Sequence, residues 1–102
     1  MSLSPERRCL LTLITESVIE QPLLRDLEAH GVRGYTVSDA RGRGSRGVRE
    51  GAFAESANIR IEVLCTRAVA EAALAHVRER WYDNYAMVAF LQEVEVLRPD
   101  KF

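Results

Sequence analysis

The sequence is poor in most of the features that mark a catalyst, a secreted domain or a membrane protein. Its 102 residues hold two cysteines, Cys9 and Cys65, too few for the disulfide framework of a small secreted domain. Both fall inside apolar, strand-like runs and read as small buried thiols of a cytoplasmic protein. The longest apolar run near the amino end, Cys9 to Ile14, falls far short of the ~20 residues a membrane helix needs, and Met1 to Arg8 lacks the apolar core of a secretory signal. Fourteen basic against fifteen acidic residues leave a net charge of −1, which excludes a surface uniformly attractive to nucleic acid. Catalytic signals are equally sparse. His30 and His76 have no cysteine or aspartate spaced to make a triad, and with Cys9 and Cys65 they are not at zinc-ligand spacing, so no metal is expected. Glu16 and Asp83 are isolated carboxylates; either could position a cation or a ribose, but each reads first as a turn or cap residue. An enzyme such as a nucleotide hydrolase therefore lacks an evident general base, and ranks last.

What is present is an ordinary globular composition, 47% hydrophobic and 28% charged, enough for one domain spanning 1–102. Arg8 to Thr15 is a nearly continuous apolar run and predicts a central strand. Val18 to His30 carries Val18 or Ile19, Leu23 or Leu24, and Leu27 on one stripe, with Pro22 in the first turn and Gly31 as a stop, and predicts a helix. Tyr35 to Arg41 is a second strand. Asn58 to Cys65 is a third, alternating Ile59, Ile61, Val63 and Cys65 against Asn58, Arg60 and Glu62. Arg67 to Arg80, capped by Thr66 and rich in alanine, predicts a second helix whose stripe is Ala70, Leu74, Val77 and Trp81. Ala86 to Leu97 is the last strand, stopped by Pro99. Its apolar face is expected to be Val88, Phe90, Val94 and Val96, with Glu93 and Glu95 marking the face toward solvent. The order βαββαβ predicts a ferredoxin-like α+β sandwich, with both helices on one face of an antiparallel sheet and a long loop between strands 2 and 3.

That loop concentrates unusual chemistry. All six glycines lie between positions 31 and 51, and Arg41, Arg43, Arg46 and Arg49 fall within nine residues. Glycine lets successive N–H groups converge on one anion, and arginine adds a fork of donors matched to phosphate oxygens. Ser45 adds a hydroxyl. The residues alone leave three readings open: a solvated surface loop, an oxyanion site, or the contact surface of an RNA-binding α+β domain. No strand carries the paired stacking aromatics of an RNA-recognition sheet, so no nucleic-acid partner is expected. Gly42, Gly44 and Gly47 also satisfy G-x-G-x-x-G, but they follow the second strand and no capped helix with an apolar stripe opens after them, which excludes a dinucleotide fold.

The run Gly34-Tyr35-Thr36-Val37, followed by Gly42-Arg43-Gly44-Ser45-Arg46 and Val48-Arg49, resembles the PII-like signalling proteins, in particular the SbtB-type and carboxysome PII branch associated with bicarbonate transport. Ala57-Asn58-Ile59 with Glu62, and the YDNYA segment at 82–86, extend the resemblance to roughly positions 9 to 97. The resemblance implies a homotrimer that binds an adenine nucleotide, ADP or AMP, in clefts between subunits, with bicarbonate joining it. The 42–57 segment would be the mobile T-loop that reports nucleotide state to a membrane bicarbonate or anion transporter, within carbon concentration. By the same resemblance Arg43, Gly44, Ser45, Arg46 and Arg49 would hold the phosphates. Gly34, Tyr35, Thr36, Val37, Asn58, Tyr85, Ala86, Met87 and Val88 would line the cleft. The resemblance departs at Met87, where transporter-associated members carry glycine, so its larger side chain is expected to reshape the pocket floor. The loop between Arg49 and Ala57 is shorter than in the cyanobacterial relatives. The sequence also ends at Phe102 without their cysteine-bearing extension, and neither redox control nor nucleotide hydrolysis tied to that extension is expected.

Overall fold

A computed structural model describes residues 6–42, 57–98, 100 and 102. The chain runs β1 (Glu6–Glu16), a 3₁₀ turn (Ser17–Ile19), α1 (Glu20–Ala29), β2 (Thr36–Ala40), β3 (Asn58–Cys65), α2 (Arg67–Arg80) and β4 (Met87–Val96). All pairings are antiparallel, in the order β2-β3-β1-β4. This is the ferredoxin-like sandwich the hydrophobic periodicity predicts. The elements match within one or two residues, except that β1 extends to Glu6 and the first helix begins as a 3₁₀ turn.

The core lies between the sheet and the two helices. Cys9, Leu11 and Leu13 of β1 and Ile59, Ile61, Val63 and Cys65 of β3 share one face, and Ile19, Leu23, Leu24, Leu27, Ala70, Ala73, Val77 and Trp81 pack onto it. Local chemistry fixes the helix ends. The Thr66 hydroxyl accepts the Val69 N–H at 3.3 Å, closing the first turn of α2. Gly31 follows α1 with φ +103°, a left-handed conformation in which a side chain is strained. A Cβ there would also meet Val69 Cγ2 at 3.3 Å.

Asp26 ties the two helices together. Its two carboxylate oxygens accept from Arg80 Nη1 at 2.7 and 2.8 Å, and one of them also accepts the Trp81 indole N–H at 2.9 Å. His76 Nε2 stands 3.1 Å away, off the line of a hydrogen bond, and its ring stacks on His30 at 4.3 Å between centroids. Burial pushes the Asp26 carboxyl up, but His76, Trp81 and the charge of Arg80 outweigh it and leave it below its ordinary value.

One expectation about β4 is corrected. Register pairs Met87, Ala89 and Leu91 with Thr15, Leu13 and Leu11, so these residues, not Val88 and Phe90, face the helices and pack against the core. Val88, Phe90, Val94 and Val96 do share a face, but it is the open one, along with Leu10, Thr12 and Ile14 of β1 and Leu64 of β3. Val88 is 49% and Phe90 37% exposed. The strand is apolar on both faces until Gln92, so alternation alone cannot say which set of its first five residues faces inward.

Candidate functional site

Strand register divides the expected cleft residues between the two ends of the sheet. Thr36 pairs with Glu62 and Ala40 with Asn58, and Asn58 in turn pairs with Glu16 at the end of β1. Gly34, Tyr35 and Thr36 therefore stand at one end, while Asn58 and the 85–88 segment stand at the other. Four residues of strand separate the two registers, roughly 14 Å at ~3.4 Å per residue. A single protomer does not bring the expected cleft together.

The first end carries a pocket of about 490 Å³ on the open sheet face. Gly34, Tyr35 and Thr36 form one wall, with Glu62 and Leu64 of β3, Leu10 of β1, Val94 and Val96 of β4, and Phe102 around the rest. Arg8 Nε donates to the Phe102 carbonyl oxygen at 3.3 Å, holding that residue by the strands. Arg60 Nε donates to Glu62 Oε2 at 3.2 Å, orienting the carboxylate from two residues away on the same face. Glu95 of β4 also lines it, so apolar walls with the hydroxyl-bearing Tyr35 and Thr36 and two carboxylates, Glu62 and Glu95, suit a flat guest that carries hydrogen-bond donors. A Cβ built on Gly34 meets nothing within 4 Å, so nothing within the protomer requires glycine there. Glu62, Leu64, Leu10 and Val94 are additions to the expected cleft residues. Only the pairing of Thr36 with Glu62 assembles them, and a long-range register is not written in local periodicity.

The second end is built by three consecutive residues. The Thr15 hydroxyl donates to the Ala86 carbonyl at 2.8 Å, and Glu16 Oε2 accepts the Ala86 N–H at 2.8 Å. The Ser17 N–H donates to the Ala57 carbonyl at 2.9 Å. One turn thus fixes both the start of β4 and the far end of the glycine- and arginine-rich loop. Glu16 is a cap, as its isolated position predicts, though for a backbone group seventy residues away in sequence. Tyr85 packs beside Trp81, with ring centroids 5.5 Å apart. The side chains of Val37 and Met87 pack against the core on the helix side, so Met87 does not shape the floor of an open-face pocket within the protomer.

Arg43, Gly44, Ser45, Arg46 and Arg49 lie outside the described residues. Gly42, two residues beyond Ala40, and Ala57, whose carbonyl accepts the Ser17 N–H, flank them at the second end. Among the described residues no group of three or more His, Cys, Asp or Glu is placed to hold a metal, and no helix is long and apolar enough to cross a membrane.

Comparison with known proteins fits this geometry to a family. Residues 8–101 match the nitrogen regulatory protein P-II family. A solved structure described as a PII-like signalling protein from Thermus thermophilus is 33% identical, with TM-score 0.82, over 98% of this chain and 99% of that one. CPII from Thiomonas intermedia, bound to ADP and bicarbonate, is 25% identical with TM-score 0.85 over 99% of each chain. The same protein bound to ADP, AMP and acetate superimposes with TM-score 0.85 at 24% identity over 98% of each chain, a likeness of fold. The βαββαβ order, the sheet topology and the match over nearly the whole length lead to one assignment: the chain belongs to the nitrogen regulatory protein P-II family, whose members are signalling and regulatory proteins.

Proposed function

We propose that this protein senses adenine nucleotides, ADP or AMP, at clefts between the subunits of a homotrimer, with bicarbonate as a second ligand, and that its 42–57 loop signals the outcome to a membrane transporter of bicarbonate or another anion. The observation that carries this reading is the pocket walled by Gly34, Tyr35 and Thr36 over Glu62 and Leu64. Its apolar walls fit the faces of a purine, and its carboxylates and hydroxyls fit the exocyclic amine and ring nitrogens. The phosphate-binding arginines belong to the loop that leaves the opposite end of the sheet. A nucleotide spanning both chemistries is most simply held between two copies, the base on one and the phosphates on its neighbour. CPII, which this chain resembles at 25% identity, has been solved with ADP and bicarbonate bound, and that supports the choice of ligands.

Association of copies has its own physical support. The open sheet face exposes Val88 and Phe90. A neighbour packed on this face would cover these apolar side chains. Signalling then follows as a population shift. A ligand that contacts one arrangement of the loop more strongly than another moves the equilibrium by that difference in affinity. Two arginine–phosphate contacts at about 1.5–3 kcal/mol each are ample.

Calorimetry of AMP, ADP and ATP, each with and without bicarbonate, tests the reading. Selective binding of ADP or AMP is expected, weakened at least tenfold by Arg46→Ala with the thermal midpoint of the free protein unchanged. Binding that ignores the arginine removes the loop from the site. Steep, salt-dependent binding to single-stranded RNA without nucleotide selectivity would favour the RNA-binding reading instead.

A further inference from the structure

We propose that Cys9 and Cys65 form a reversible cross-strand disulfide, with a hydroperoxide as the oxidant. The two residues are direct partners in the β1–β3 register. Both point to the helix side of the sheet and are buried as free thiols, at 2% and 4% exposure. Directly opposed residues on antiparallel strands have Cα atoms about 4.5–5.5 Å apart. That lies inside the ~4.4–6.8 Å that disulfides span, so closure needs side-chain rotation rather than a shift of the strands.

Access comes from one side. Cys65 lines a cavity of about 240 Å³ together with Arg33, Thr66, Val69 and Phe102, roomy enough for hydrogen peroxide though not for a peptide disulfide. The charged groups around the pair are Arg33 at that cavity, Arg67 of α2 with Glu71, and Glu93 of β4, which pairs with Cys9 across the sheet. Burial, with Cys9 adding to it, pushes the Cys65 thiol up to about 11, which keeps the thiolate scarce at neutral pH. The pair therefore registers sustained rather than brief oxidant.

The chemistry balances in two steps. The Cys65 thiolate attacks one peroxide oxygen: an S–O bond forms, the O–O bond breaks, and hydroxide leaves to become water with the thiol's proton. The Cys9 sulfur then attacks the Cys65 sulfur: the S–S bond forms, the S–O bond breaks, and the departing hydroxide takes the Cys9 proton as a second water. Two thiols are oxidised and one peroxide is reduced to two waters. A dithiol reductant reverses the link by thiol–disulfide exchange. Leu10 and Leu64, the neighbours of the two cysteines, line the open-face pocket, so the bridge pins together the two strands beneath it.

The test treats the intact, native protein with hydrogen peroxide, alkylates the remaining thiols, and maps the peptides without reductant. The expected product is a peptide bearing Cys9 joined to one bearing Cys65 from the same chain, lighter by two hydrogens and separated again by dithiothreitol. The linked protein keeps its circular dichroism and melts several degrees higher, because the closure constrains the unfolded chain. In Cys9→Ala, Cys65 should stop at the sulfenic acid and be captured by a dimedone probe. Both thiols still alkylated, oxidation to sulfinic acid without a link, a link only between chains, or closure only in urea would each overturn the proposal. The wild-type map decides the matter even where a variant folds poorly.

Discussion

The carboxylate of Glu16 accepts the amide N–H of Ala86 at 2.8 Å, across seventy residues of sequence. With the adjacent Thr15 hydroxyl on the carbonyl of the same residue, this bond sets where β4 begins and how the 85–88 segment meets the end of the loop. Glu16→Ala leaves a partly buried N–H without its acceptor and is expected to cost about 1–3 kcal/mol in urea unfolding. Glu16→Gln keeps an acceptor oxygen and should recover most of the loss. On the proposed reading the alanine variant also weakens ADP binding and the glutamine variant restores it; equal ADP affinity in all three proteins would separate this turn from the ligand site.

Asp26 supplies a pH dependence. Its carboxyl is held below the ordinary value, so the folded state binds the proton less tightly than the unfolded chain does. The stability it contributes is full above the unfolded value of 3.8 and fades as pH falls through the lower folded value. Asp26→Ala should flatten that acid limb and destabilise the protein by about 1–3 kcal/mol at neutral pH, chiefly by orphaning the Trp81 indole N–H. Denaturant midpoints measured across the acid range up to neutrality check both statements. An unchanged acid limb would show that other carboxylates govern it.

Much of this is readable in the residues, and what is not has a common cause. The period of Ile59, Ile61, Val63 and Cys65, the stripe on α2 and the caps at Thr66 and Gly31 are local signals, and each element stands where they place it. What local signals do not carry is register. Met87, Ala89 and Leu91 are as apolar as Val88 and Phe90, and pairing with β1 alone decides which set faces inward on β4. Nor does periodicity reveal that Cys9 and Cys65, far apart in sequence, face each other across two strands. Glu62 enters the pocket for the same reason, as the partner of Thr36.

Gly34 separates ligand binding from folding. It has no left-handed backbone and no atom within 4 Å of the position a Cβ would take. Gly34→Ala should therefore hold or slightly raise the thermal midpoint, since alanine lowers the entropy of the unfolded chain. If a base stacks against this wall, the same methyl group stands in its way, and ADP affinity should drop at least tenfold in calorimetry. Unaltered affinity would put the base elsewhere.

Phe90 tests whether the open sheet face is shared between copies. Its side chain stands beside Thr12 in the middle of that face, away from the helices, and within one protomer it packs no core. Phe90→Asp should therefore leave the secondary structure of the protomer intact. On a face buried between subunits, however, it places a carboxylate in an apolar contact, where a charge without a partner costs several kcal/mol and is repeated in every subunit. Sedimentation should then show a folded monomer in place of a trimer. Nucleotide binding should vanish with the trimer, because the wall at Gly34–Thr36 and the loop arginines would no longer meet. A variant that remains trimeric and still binds ADP would place the subunit contact on another surface, and the division of the cleft between the two ends of the sheet would need a different explanation.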